Sequence, residues 1–285
     1  MSLKFALHSG SPLAQPADIL LLATHHSSLG EIPGLEGVDP SILAQWEKVV
    51  SAGDFTAALD QTLEIQPHGA IAAGRLLLVG LGEPGQAGAQ PAPAVVRRVI
   101  ASAVRSALAR RPESLTIALP SPCDVGSLRS AAEGVVLGAY RFTRYLTGER
   151  RPKADLKSVA VFLGRKPTKA DKDALELGRR TGEAVCLARD LVNEPPNVLT
   201  PTELAARAVK VARQEGLKVE VLDEKAMKKA GMVLHLAVGA GSSNPPRFVH
   251  LTYSPSKGNA GSKSGKGKKR VPRLVFVGKG LTFDS

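Results

Sequence analysis

Four short runs of Val, Ile and Leu constrain this chain most: residues 18–23, 75–81, 115–119 and 158–163. Each is apolar almost throughout and is closed by Gly, Pro or polar residues, the pattern of a strand buried on both faces. Between them lie segments with apolar residues at helical spacing. In residues 93–110, Val95, Val96, Ile100, Val104 and Leu108 form one stripe, flanked by Arg97, Arg98, Arg105 and Arg111. Residues 128–146 repeat the arrangement. Strands alternating with helices of this length predict an α/β domain around a largely parallel sheet. Aromatic residues make up only 4% of the chain, so the core has to be built mainly from Leu, Val and Ala.

None of these runs approaches the roughly 20 apolar residues of a membrane-spanning helix. No apolar stretch follows Met1-Ser2-Leu3-Lys4, so no secretory leader is expected. Mean hydropathy near zero fits a soluble globular protein. The two cysteines, Cys123 and Cys186, have no metal-binding spacing and read as buried free thiols of a cytoplasmic protein rather than a disulfide.

A polar break at residues 165–172 marks the expected domain junction. The predicted organisation is an N-terminal α/β domain over 1–165, a linker helix over 166–194 and a second α/β unit over 195–285. The linker helix should run over residues 170–192 and end before Asn193-Glu194-Pro195-Pro196, because the residue before a proline is pushed out of the helical region. Thr200-Pro201-Thr202-Glu203 is a helix start, with Thr200 as cap, Pro201 at the first position and Glu203 closing a capping box. A helix to Glu215, a strand over 219–222, a short helix over 224–229 and strands over 248–253 and 274–277 complete the prediction.

The net charge of +12 is concentrated near the end of the sequence: residues 255–285 carry eight Lys or Arg against one acidic residue. Residues 254–270, with Lys257, Lys263, Lys266, Lys268, Lys269 and Arg270 among Gly and Ser, read as a solvated loop between two strands. Clustered cations also gain affinity for a phosphate backbone by counterion release, so a weak nucleic-acid contact through 255–270 is the rival use of that loop. The loop has no aromatic residue on which a base could stack.

Gly80-Leu81-Gly82-Glu83-Pro84-Gly85 matches a dinucleotide-binding glycine pattern after a strand. A phosphate site also needs a helix that begins inside the motif, whereas loop-forming residues follow here up to Pro93. None of the six histidines has metal-ligand spacing, and no serine-nucleophile elbow is present.

Three ordered segments carry chemistry. The first is Leu187-Ala188-Arg189-Asp190-Leu191-Val192-Asn193-Glu194-Pro195-Pro196-Asn197-Val198-Leu199-Thr200-Pro201, and the second Gly239-Ala240-Gly241-Ser242-Ser243-Asn244-Pro245-Pro246-Arg247. The third is Val277-Gly278-Lys279-Gly280-Leu281-Thr282-Phe283-Asp284-Ser285. Together they resemble the leucyl aminopeptidase family, two-metal exopeptidases.

The resemblance implies an N-terminal α/β (macro-like) domain followed by an α/β catalytic domain, incomplete in these 285 residues. It implies Lys279 and Asp284 as metal ligands, with Mn²⁺ or Zn²⁺ as the two divalent cations of the complete enzyme. Carboxylates are natural ligands for both ions, and a lysine joins them only as a neutral amine. In such sites two metals polarise the scissile carbonyl and generate a hydroxide nucleophile. The family's catalytic Lys and Arg have no counterpart up to Ser285, so no catalytic residue is assigned. The resemblance further implies peptide substrates, release of unblocked N-terminal residues with leucine preferred, a homo-hexamer and a cytoplasmic location. Because two ligands do not hold two metals, the 285 residues alone are expected to be an inactive fragment.

Overall fold

The computed structural model describes residues 3–26, 28–32, 34–83, 91–120, 123–254 and 273–281. The chain divides into two compact units, residues 1–189 and 190–285.

The first unit is built on a six-stranded sheet. Its strands are β1 (Lys4–His8), β2 (Ile19–Thr24), β3 (Thr62–Ile65), β4 (Leu76–Gly80), β5 (Ser114–Ala118) and β6 (Ser158–Phe162), in the order β1-β6-β5-β2-β4-β3. All pairings are parallel except that of β3 with β4. The helices are α1 (Pro40–Ala52), α2 (Pro93–Ala107), α3 (Val125–Ala139) and α4 (Lys169–Asn193). The four predicted apolar runs are β2, β4, β5 and β6, and the α/β class is as expected.

Successive residues of a strand face opposite sides of its sheet, so a strand apolar throughout needs a cover on each side. In β2, Ile19, Leu21 and Ala23 enter one core, with Val96, Ile100 and Val104 of α2 and Leu128 and Val135 of α3. Leu20 and Leu22 enter the other, with Trp46 and Val50 of α1. Each fully buried Leu contributes about 1.5–3 kcal/mol of transfer free energy.

The helices on the first face pack through glycines. A Cβ at Gly134 or Gly138 of α3 would stand 2.6 Å from the Arg97 carbonyl oxygen or 2.5 Å from that of Ala101, both in α2. Gly178 of α4 lies against the Arg129 backbone and Gly182 against Val136, both in α3. Helix α3 ends at Ala139, shorter than the predicted 128–146. At Tyr140 the backbone turns extended and residues 140–157 form a long connection with one 3-10 turn at Gly148–Arg150. Its start is fixed by Asp124, whose carboxylate accepts from the Ser127 N–H at 2.6 Å.

The break predicted at residues 165–172 is an ordered helix start. Asp171, buried, accepts both guanidinium nitrogens of Arg165 at 2.6 and 2.7 Å, and the N–H and hydroxyl of Thr168 at 2.8 and 2.7 Å.

The glycine pattern after β4 also has a structural explanation. A Cβ at Gly80 would meet the Ala57 carbonyl carbon at 2.5 Å, and Gly82 has φ +77°, which favours glycine. Among the described residues the next helix is α2, which begins at Pro93.

The second unit contains α5 (Pro201–Glu215), β7 (Lys218–Leu222), α6 (Glu224–Lys229), α7 (Val233–Gly239) and β8 (Phe248–Thr252). Strands β7 and β8 pair antiparallel. One strand expectation fails: residues 274–277 form no strand. Leu274, Val275, Phe276 and Val277 are 81–94% exposed, and no described strand supplies hydrogen bonds to them. An apolar run becomes a strand only where a neighbour satisfies its backbone.

Candidate metal centre

Helix α4 ends at Asn193, as the following prolines require. Beyond it the chain is pinned from both sides. The Pro195 carbonyl accepts the N–H groups of Val198 and Leu199, each at 2.9 Å, and the Thr200 hydroxyl caps α5 by accepting the Glu203 N–H at 3.3 Å. The Glu203 carboxylate is drawn on to Arg207, accepting its Nε–H at 2.9 Å.

Glu194, next to the prolines, has a buried side chain that accepts both terminal nitrogens of Arg207 at 3.2 and 3.3 Å. Arg207 is held further toward its charged form by the hydrogen bond to Glu203, with Glu194 adding to it against the cost of burial. A buried carboxylate needs such a partner. Sequence reasoning did not pair Glu194 with Arg207. A carboxylate flanked by prolines and facing a capped helix was the available signal.

The glycine-rich stretch after α7 is a second fixed turn. A Cβ at Gly239 would stand 2.9 Å from Cγ of Pro246. The Arg247 guanidinium donates to the Pro246 carbonyl at 2.9 Å, just before β8 begins. These contacts fix the backbone that leads into β8.

Lys279 lies in the irregular segment 273–281 with its side chain exposed, and Asp284 lies outside the described residues. A Cβ at the neighbouring Gly280 would make an ordinary 3.5 Å contact with Leu204 of α5. Of the expected ligand pair, the described residues therefore include Lys279 alone. Among the described residues, no group of three or more His, Cys, Asp or Glu could hold a metal ion. The described residues do not by themselves compose a dinuclear site. The lysine-rich residues 255–270 also lie outside the described residues. No helix of the described residues is long and apolar enough to cross a membrane.

Residues 28–149 match the family model described as the cytosol aminopeptidase family, N-terminal domain, and residues 186–285 match that of the same family's catalytic domain. The chain is 37% identical over 263 residues to a probable cytosol aminopeptidase of Mycobacterium ulcerans (strain Agy99), covering 90% of this chain and 48% of that protein. It is 38% identical over 210 residues to a probable cytosol aminopeptidase of Aquifex aeolicus (strain VF5), covering 73% of this chain and 38% of that one. Among solved structures it is similar to a tomato leucine aminopeptidase mutant, with TM-score 0.73, 25% identity and coverage of 88% of this chain and 50% of that one. A bottromycin maturation enzyme in complex with Mn gives TM-score 0.64 and 29% identity, covering 84% of this chain and 46% of its own. The chain spans about half the length of the curated relatives it matches.

Proposed function

The chain belongs to the cytosol aminopeptidase family, and on that premise we propose that it serves a metal-dependent aminopeptidase that releases unblocked N-terminal amino acids from peptides. In this reading residues 1–165 are the N-terminal α/β domain, 166–194 the linker helix and 195–285 part of the catalytic domain. Leucine is the preferred residue, the setting is cytoplasmic peptide turnover, and the complete enzyme is a hexamer holding two divalent cations, Mn²⁺ or Zn²⁺. Lys279 and Asp284 are the ligands this sequence contributes. The observation that carries the reading is the ordered match of both domain models of one family to one chain. The name of the Mn complex supports a divalent metal for that relative, and by likeness for this chain.

The test compares a leucyl peptide with its N-acetylated form, with Mn²⁺ or Zn²⁺ added. The product of the whole gene is expected to release leucine from the free peptide alone, and a chelator is expected to stop it. A polypeptide limited to residues 1–285 is expected to release none. Equal cleavage of the acetylated peptide, or activity indifferent to chelation, would overturn the proposal.

The charge of residues 255–285 favours a second, lesser reading: a weak nucleic-acid contact through the lysines of 255–270. Changing Lys263, Lys266, Lys268 and Lys269 to Ser should then flatten the salt dependence of DNA binding. No binding at moderate salt would end that reading.

A further inference from the structure

The connection from α3 to β6, residues 140–157, is long for a compact α/β domain and has no element of its own beyond one 3-10 turn. Connections of this length are commonly functional. With the turn that follows α2 it borders an open-sided surface concavity of about 430 Å³, lined by the exposed Arg111, Arg141, Arg150, Arg151 and Lys153 against a single acidic residue, Glu149. The whole concavity lies within the first unit.

Among the described residues, none of these five cations is in an ion pair. The neighbouring Arg110, by contrast, turns away and pairs with Glu64 at 2.9 Å. The helix end accounts for only part of the charge. Cations are favoured where carbonyls are left over at a helix C-terminus, and Arg141 meets that role by donating to the Leu108 carbonyl at 3.4 Å. Arg150, Arg151 and Lys153 stand on the loop, and among the described residues no hydrogen bond engages their side chains.

Arg111 contributes from the turn that follows α2. It closes that 3-10 turn with φ 56° and ψ 46°, a left-handed conformation in which Gly is the residue free of strain. Here the strained position places one more guanidinium on the wall of the concavity. Guanidinium forks match phosphate oxygens in pairs, and like charges held in one concavity favour a ligand that neutralises several at once.

We propose that this concavity is a binding site for a small phosphate-bearing polyanion, of the nucleoside polyphosphate or inorganic polyphosphate class, on the unit remote in sequence from the metal-binding motif. A single concavity suits such a ligand better than a duplex, whose phosphates need cations spread along a track.

Calorimetric titration of the 285-residue chain with inorganic tripolyphosphate, and in parallel with ATP, tests this. Saturable binding of one ligand per chain is expected. It should weaken about tenfold or more in the double variant R150Q/R151Q, consistent with losing charge-assisted hydrogen bonds. Replacing Lys263, Lys266, Lys268 and Lys269 by Ser should leave it unchanged. Equal affinities would mean that the phosphates alone are read, and tighter ATP binding that the nucleoside is read as well. Three results would overturn the proposal: no saturable binding, binding indifferent to R150Q/R151Q, or displacement of tripolyphosphate by short duplex DNA at lower concentration. Melting of R150Q/R151Q at the parent temperature shows that the loss is local.

Discussion

Two side chains of the first unit connect burial to a measurable titration. The hydrogen bonds from Arg165 hold the Asp171 carboxyl well below the usual carboxylate range, and those from Thr168 add to this against the cost of burial. The folded state therefore binds the Asp171 proton less readily than the unfolded chain, whose carboxylate titrates near about pH 3.9. The stabilisation is complete above that value and is lost as the pH falls through and below it. Asp171→Asn should cost about 1.5–3 kcal/mol at neutral pH, the range for hydrogen bonds to charged groups. Urea unfolding at pH 7 and pH 3 checks the sign: the gap between parent and variant should narrow at pH 3, and a constant gap would show that the charge is not involved. Cys123 titrates the other way. Burial, with the nearby Asp124 charge adding to it, pushes its thiol up to about 12. At pH 8 a thiol reagent should react with the half-buried Cys186 and reach Cys123 only on unfolding. Two equivalents consumed by the native protein would contradict this.

Elements were legible where burial leaves a continuous mark. Strands β2, β4, β5 and β6 are central or nearly so, and their unbroken apolar runs announce themselves. The edge strands β1, Lys-Phe-Ala-Leu-His, and β3, Thr-Leu-Glu-Ile, carry no such run. Each has one neighbour and half-exposed positions, so sequence reasoning assigned neither. Helix α1 was also passed over, although Asp39 and Pro40 mark its start and Trp46 and Val50 its buried face. The run at 274–277 misled because apolar composition does not supply a pairing partner. For the candidate site, Lys279 and Asp284 were legible only by family resemblance, since Lys-x4-Asp spacing has no geometry of its own. The glycines give a test of element packing. A Cβ at Gly178 would collide with the Arg129 backbone, which cannot turn aside, whereas one at Gly182 would stand 2.8 Å from Cβ of Val136, a side chain. Gly178→Ala should therefore cost more than Gly182→Ala, within the roughly 1–3 kcal/mol of overpacking, and lower the melting temperature further. The reverse order would mean that α4 shifts as a rigid body more easily than the packing implies.

Over the whole molecule, the two units differ in how much apolar surface each buries. The first has two cores, one on each face of its sheet. Among the described residues of the second, the buried apolar side chains are Ala205, Ala212, Met227 and Pro246, while Val233, Leu234, Val238 and the run from Leu274 to Val277 are largely exposed. Its order rests on local devices: the Thr200 and Asp223 caps, the left-handed Gly216 that closes α5, and the Glu194–Arg207 pair. Caps contribute about 1 kcal/mol each, and a buried ion pair is weak grounds for stability because desolvation offsets its attraction. Regions with few buried apolar contacts open at low free energy, whatever the quality of their hydrogen bonds. Hydrogen exchange on the 285-residue chain should therefore find amides of β2, β4 and β5 protected to the global limit. Amides of α5, β7 and β8 should exchange far faster, through an opening that leaves the first unit intact. Arg207→Ala should speed exchange in α5 and around Glu194 while β2 keeps its protection, because it removes one of the few contacts that tie residues 190–200 to that helix. Uniform protection across both units would mean that residues 190–285 draw stability from contacts other than their own.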